Sequence, residues 1–135
     1  MKAKYVISIV LRLVAAAIMI QTLYFKFTAQ PESVYIFSKV GIEPWGRIGT
    51  GVAELVSSIL LLVPRTMVPG ALMAVGIMLG AVATHLFILG IEVQGDGGQL
   101  FIYALLVLAC GIGLLFLHSG QLTVYKNVLL RKSGL

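Results

Sequence analysis

Four ionisable residues lie within or beside long apolar runs, and they are the candidates for chemistry in this sequence: Arg12, Lys26, Glu54 and His85. A charged side chain at the centre of a bilayer costs about 2.5–3.5 kcal/mol on insertion scales, so it is expected to face a protein interior and to have a partner. Carboxylate, cation and imidazole groups can bind polar ligands or carry protons. The four residues therefore predict a polar core that serves as a substrate, cofactor or proton site.

Glu54 lies near the middle of the apolar run Gly46–Val63. At ~1.5 Å per residue, this run is just long enough to cross a hydrocarbon core of ~30 Å as a helix. Helical spacing predicts an inward face and an opposite, lipid-facing side formed by Leu55, Ile59 and Leu62. A packing stripe with one buried acid is the structural alternative. The residues on the predicted inward face, besides Glu54, are Arg47, Thr50, Gly51, Ser57 and Ser58.

Counting along the helices predicts that Glu54 pairs with Arg12. At ~1.5 Å per residue from each helix start, Arg12 lies roughly 10 Å and Glu54 roughly 18 Å above the inner boundary. Two extended side chains can span that difference, whereas Lys26 lies roughly 13 Å above the acid. Lys26 is instead expected to extend to water from the membrane interface, and His85 to lie near the outer rim.

The composition indicates a membrane protein, because 59% of the 135 residues are hydrophobic and only 11% are charged, against roughly 25% charged in soluble domains. Mean hydropathy is +1.03. We predict an all-α membrane protein of one domain (residues 1–135), an antiparallel bundle of four transmembrane helices. The spans are predicted at about 5–27, 46–63, 67–90 and 100–118.

The first connection is predicted to contain a short interfacial helix. Pro31 and Glu32 suit the first turn of a helix, and Gly41 can end it. Val34, Tyr35, Phe37 and Val40 give the helix an apolar face. Such a helix could cover the bundle or simply anchor it at the headgroups.

Charge asymmetry predicts the orientation of the chain and explains its net charge of +5 without a nucleic-acid partner. By the positive-inside rule, both termini are cytoplasmic and the first and third connections lie outside. The tail 119–135 either rests on an anionic inner leaflet or is disordered. Six basic residues fall on the terminal side (Lys2, Lys4, Arg65, Lys126, Arg131 and Lys132), and the four loop acids fall on the other (Glu32, Glu43, Glu92 and Asp96).

Three other chemistries find little support in the sequence. A single cysteine, Cys110, cannot form an intramolecular disulfide relay. His85 and His118 are predicted to lie roughly 25 Å apart along the membrane normal, too far for two axial ligands of one haem. No metal site is predicted, because the polar loop 91–98 is explained as a flexible turn, although cation binding there is the alternative.

Several landmarks in the first ninety residues resemble the DoxX family. They are Arg12, the sequences Tyr24–Phe27, Phe37–Ile42 and Gly51–Leu55, the run Leu60–Arg65, Gly70–Ala71 and His85. The resemblance implies a four-helix protein of the bacterial inner membrane. It also implies that Arg12, Lys26 and Glu54 correspond to the basic and acidic residues of the family, some of whose members are membrane subunits of quinone-linked sulfur oxidation or partners of redox-stress enzymes.

Three functions remain open at this point. The first is a redox-associated membrane subunit that binds quinone, or another small apolar ligand, near Glu54. The second is a scaffold that recruits a soluble or membrane redox enzyme, and the third is a small proton-coupled transporter; association with a further copy of the chain is left open. The pocket is predicted to be lined by Tyr24, Thr50, Ser57, Ser58 and Tyr103, besides the polar core residues Arg12, Lys26, Glu54 and His85.

Overall fold

Four long apolar helices make up most of the chain in the computed structural model, which describes residues 2–134. They are α1 (Lys2–Phe27), α3 (Trp45–Leu62), α4 (Met67–Thr84) and α5 (Gln99–Leu117). Each is long and apolar enough to cross a membrane, α4 together with the turns that flank it. The all-α fold with four spanning helices is therefore confirmed. The two end residues of the predicted domain, Met1 and Leu135, lie outside the described part.

The four helices form a closed ring, because α1 packs against α3 and α5, and α4 packs against the same two helices. The centre of the ring is filled mainly by small and flexible side chains, which allow helices to approach closely in lipid. The core residues are Ala15, Met19, Leu61, Ala71, Ala74, Met78, Ala104, Val107, Cys110 and Leu114.

The predicted short helix in the first connection is present as α2 (Pro31–Val40). It begins with proline at its first position, where a missing N–H costs nothing. It ends at Gly41, whose φ of 90° is left-handed and whose N–H bonds to the carbonyls of Phe37 and Ser38. Because α2 packs against α1, α3 and the end of α4, it lies across one end of the bundle.

Helices α3 and α4 are joined tightly. Val63 is extended, as expected before a proline, and Pro64–Thr66 forms a single 3₁₀ turn. A Cβ at Gly70 would lie 2.8 Å from the backbone nitrogen of Leu61, so the two backbones are in contact. Oγ of Ser57 donates across this contact to the carbonyl of Gly70 at 2.9 Å.

At the other end, α4 continues into a π-helical turn, His85–Leu89, followed by Gly90 with φ 84°. The loop 91–98 is organised by Asp96, whose carboxylate accepts the backbone N–H groups of Val93, Gly98 and Leu100. Burial raises the pKa of Asp96, but these three donors and the charge of His85 outweigh it and hold that pKa below 3.8. The hydrogen bonds of its own acid therefore organise this loop.

The tail forms a helix, α6 (Ser119–Lys132), that has few contacts with α5. The disordered alternative is wrong for these residues. The helix ends in Arg131 and Lys132, as the dipole favours.

Candidate functional site

A cavity of about 640 Å³ opens beneath α2 and is bounded by all four spanning helices. We call it the large cavity. Its volume is within the range of ~300–1,000 Å³ that is usual for ligand sites. Most of its wall is apolar, and the polar side chains that reach it include Thr22, Lys26, Thr50, Glu54, His85 and Tyr103.

Glu54 is paired with Lys26 at the wall of this cavity. Oε1 of Glu54 lies 3.3 Å from Nζ of Lys26, and the two side chains are only 5% and 14% exposed. Nζ also lies 3.3 Å from Oε2. The hydroxyl of Thr22 lies 2.9 Å from Oε2 and 2.7 Å from the carbonyl of Met19, so its one hydrogen is donated to either acceptor. The acid thus has a buried cation and a hydroxyl as partners.

The predicted pair between Glu54 and Arg12 is wrong, and so is the interfacial role predicted for Lys26. Helical side chains lean toward the N-terminus of their own helix. In the antiparallel helices α1 and α3, this direction carries Lys26 and Glu54 toward each other and carries Arg12 away from Glu54. Counting the rise per residue ignored the direction of the side chains.

Arg12 caps the end of α3 instead. Its Nε donates to the carbonyl of Leu61 at 2.6 Å, and its Nη2 donates to the carbonyl of Leu62 at 3.0 Å. The last carbonyls of a helix have no partner within the helix and carry a partial negative charge. Arg12 therefore belongs to the opposite end of the bundle and does not line the large cavity.

Arg47, predicted on the face of Glu54, is buried there but forms its ion pair with Glu43. Its Nε lies 2.8 and 3.1 Å from the two carboxylate oxygens of Glu43, and its Nη1 donates to the carbonyl of Lys26. It thus joins the start of α3 to the end of α1, next to the lysine that pairs with Glu54. The i,i+4 spacing of Glu43 and Arg47 is the sequence signal that the prediction missed.

His85 is the first residue of the π-helical turn, and such turns are frequent at functional sites. The residue is 5% exposed, and its Nδ1 lies 3.0 Å from the carbonyl of Gly90. A carbonyl only accepts, so we assign the hydrogen to Nδ1; in the neutral ring Nε2 is then an acceptor. The ring packs edge-on against Phe101, with 5.6 Å between centroids.

Of the five residues predicted to line the pocket, Thr50 and Tyr103 reach the large cavity. The prediction for Tyr24 is wrong, because this residue is 62% exposed. Tyr24 lies two positions from Thr22 and from Lys26, and that spacing puts its side chain on the opposite side of the helix. The prediction that Ser57 and Ser58 line the pocket is also wrong. They are fully buried where α3 approaches α4, and they donate to the carbonyls of Gly70 and Glu54.

Helix α2 contributes more of the wall than the sequence indicated. Ser33, Ile36, Phe37 and Val40 line the cavity at the i, i+3, i+4 and i+7 positions of one helical face. Tyr35, predicted on the apolar face of this helix, is instead exposed and lies beneath the ammonium of Lys39. Applying the full helical period to this segment would have predicted Ile36, in place of Tyr35, on the face that lines the cavity.

Within residues 2–134, no cluster of three or more His, Cys, Asp or Glu side chains is placed to hold a metal ion.

Comparison with known proteins gives one match. Residues 10–112 match the model of the DoxX-like family. Neither the curated proteins nor the solved structures give a significant match.

Proposed function

The chain belongs to the DoxX-like family, whose model covers residues 10–112, and on that premise we propose that this integral membrane protein binds a quinone in the large cavity. In this proposal the protein is the membrane subunit of a redox system. Its part is to bind and orient the quinone, while a partner redox enzyme supplies the electrons.

The observation that supports this proposal is the combination of one apolar cavity with a few buried polar groups. A quinone is an apolar ring and tail with two carbonyl oxygens, and each oxygen requires a hydrogen-bond donor when it leaves water. Apolar side chains such as Ile77 and Val107 suit the ring and tail. The pocket thus offers the chemistry that small-molecule sites share, an apolar wall with a few oriented polar groups.

Two side chains are suited to donate to the carbonyl oxygens. The ammonium of Lys26 has three hydrogens and is held at the wall by Glu54. The hydroxyl of Tyr103 accepts from Nε2 of Gln99 at 2.9 Å, which leaves its own hydrogen for a ligand. Glu54 is then the residue that holds the ammonium of Lys26 at the wall of the cavity.

The test uses Trp45, the single tryptophan of the chain, which lines the cavity. A short-chain ubiquinone analogue added to the purified protein should quench its fluorescence with a saturable component. Lys26→Met and Tyr103→Phe should each weaken binding about tenfold, as expected for one lost hydrogen bond to a polar partner. Tyr24→Phe is the matched control, because Tyr24 lies outside the cavity.

Two outcomes contradict the proposal. One is quenching that rises linearly with the analogue, which indicates partition into detergent. The other is a saturable component that the Lys26 and Tyr103 variants leave at wild-type affinity, since binding then occurs elsewhere.

We further propose that the protein resides in the bacterial inner membrane with both termini cytoplasmic. The basic residues Lys2 and Lys4 begin α1, Arg65 lies in the turn between α3 and α4, and Arg131 and Lys132 end α6. Lys2, Lys4 and Arg65 belong to the end of the ring at which α6 begins, and the acids of the loops belong to the end covered by α2. The positive-inside rule supports this orientation.

A further inference from the structure

A second, smaller cavity lies at the end of the bundle opposite to α2. Its volume is about 270 Å³, and we call it the small cavity. Its polar lining consists of Ser8, Arg12 and His118, with Nε2 of His118 lying 2.9 Å from Oγ of Ser8. The remaining wall is formed by Tyr5, Ile9, Leu13, Leu62, Pro64 and Met67.

The guanidinium of Arg12 is buried in this wall, and no carboxylate within residues 2–134 is its partner. Arg12 is 8% exposed, and among the described residues its hydrogen bonds go only to the neutral carbonyls of Leu61 and Leu62. The end of a helix carries only about half a negative charge, so the cap offsets the arginine in part. A buried charge with incomplete compensation is costly, and an anionic ligand would supply what the cap lacks.

The Asp and Glu side chains do not supply this charge. The five Asp and Glu residues are Glu32, Glu43, Glu54, Glu92 and Asp96. Four of them lie in α2 or in the connections at the α2 end, and Glu54 is held by Lys26. None of the five lines the small cavity.

Further positive charge surrounds the same cavity. Burial lowers the pKa of His118, and the charges of Lys4 and Arg12 lower it further. Both cations therefore act on the imidazole that faces Arg12 across the cavity. The local potential is positive from two sides, which is the setting in which a phosphate group is stabilised.

We propose that the small cavity binds the phosphate group of an anionic phospholipid, with Arg12, His118 and Ser8 around the phosphate. Nε and Nη2 of Arg12 hold the helix end, whereas Nη1 has no hydrogen bond to another described residue. The apolar part of the wall suits acyl chains, because Tyr5, Leu13 and Leu62 are 67%, 54% and 43% exposed on the lipid side. Basic pockets between spanning helices recognise lipid headgroups in this way.

The shared chemistry is a phosphate anion, so the experiment includes free phosphate as a second arm. The full chain, purified in detergent, is titrated with phosphatidylglycerol, with phosphatidylcholine of the same acyl chains, and with inorganic phosphate. Bound lipid is counted by native mass spectrometry, and the imidazole of His118 is followed by NMR. Phosphatidylglycerol should bind about tenfold more tightly than phosphatidylcholine and should raise the pKa of His118, because a bound anion favours the imidazolium. If inorganic phosphate alone raises the pKa of His118 by the same amount, the ligand of this cavity is free phosphate and not a phospholipid.

Variants separate this site from a purely structural cap. Arg12→Gln should abolish the preference for phosphatidylglycerol, but it also removes the cap of α3 and can prevent folding. His118→Gln and Ser8→Ala keep the cap and should each reduce the preference at least threefold. Lys126→Gln, an exposed basic residue of α6, is the matched control and should leave the preference unchanged.

The proposal is overturned if the two lipids bind equally and neither lipid nor phosphate moves the pKa of His118. It is also overturned if Lys126→Gln reduces the preference as much as His118→Gln, since the attraction is then diffuse.

Discussion

Glu54 and Lys26 meet 3.3 Å apart, although counting from the helix ends separates them by roughly 13 Å along the membrane normal. The antiparallel direction of α1 and α3 accounts for the contact, because each side chain leans toward the N-terminus of its own helix. This relationship places a buried ion pair at the wall of the large cavity.

The pair should be visible in a double-mutant cycle. Removing one partner of a buried pair costs about 3–5 kcal/mol, and the 14% exposure of Lys26 favours the lower end. Glu54→Gln and Lys26→Met should therefore each lower the unfolding temperature in detergent, and the double variant should recover much of the loss. His118→Gln combined with Glu54→Gln is the control and should show additive losses, because His118 lies at the opposite end of the bundle. Additive losses for Glu54 and Lys26 would show that the two residues are not coupled.

Gly70 should be intolerant of a side chain. An added Cβ would lie 2.8 Å from the nitrogen of Leu61, so α3 and α4 would have to separate. Gly70→Ala should lower the free energy of unfolding by about 1–3 kcal/mol, the usual cost of overpacking. Gly80→Ala in the same helix meets nothing within 4 Å and should be neutral or stabilising by up to about 1 kcal/mol. Denaturation in mixed micelles measures both variants, and equal effects would contradict the close approach at Gly70.

His118 should make stability fall at mildly acidic pH. Its pKa is lowered from 6.5 in the folded protein, so the unfolded chain takes up a proton first as the pH decreases. The stabilising contribution is present above pH 6.5 and is lost as the pH falls through the lowered folded value. For His118→Gln, the plot of unfolding temperature against pH should lack this decrease. The difference between the wild-type and variant plots then isolates the contribution of His118 from any contribution of His85. A step that persists in the variant would assign it to another group. Asp96 contributes in a separate window, below 3.8.

The proposed orientation can be tested with single cysteines. Cys110 is buried, so a Cys110→Ala background is suitable. Glu92→Cys in the loop after α4 should react with a membrane-impermeant maleimide in intact cells, and Ser133→Cys after α6 should react only after permeabilisation. Both positions are exposed, so accessibility within the protein does not explain a difference. Labelling of Ser133→Cys in intact cells would reverse the assigned orientation.

The sequence alone determined the four spanning helices and α2. Helices in a membrane satisfy their backbone hydrogen bonds within each segment, so hydropathy and period identified the four spans and the inward face of Glu54. Local capping signals identified α2, because Pro31 starts this helix and Gly41 ends it through interactions within one helical turn. The burial of Gly51, Ser57 and Ser58 and the exposure of Leu55 and Ile59 follow from this periodicity.

The tertiary structure decided which residues meet. The partner of Glu54, the cap formed by Arg12 and the contribution of Ile36 to the large cavity depend on how helices are oriented toward each other. Ser57 and Tyr24 show the same dependence. Ser57 is buried because α4 packs against α3, and Tyr24 is exposed because it faces outward from α1. A helical period places a residue on a face of its own helix, whereas the neighbour on that face, and the direction from which its side chain arrives, are set by packing between helices.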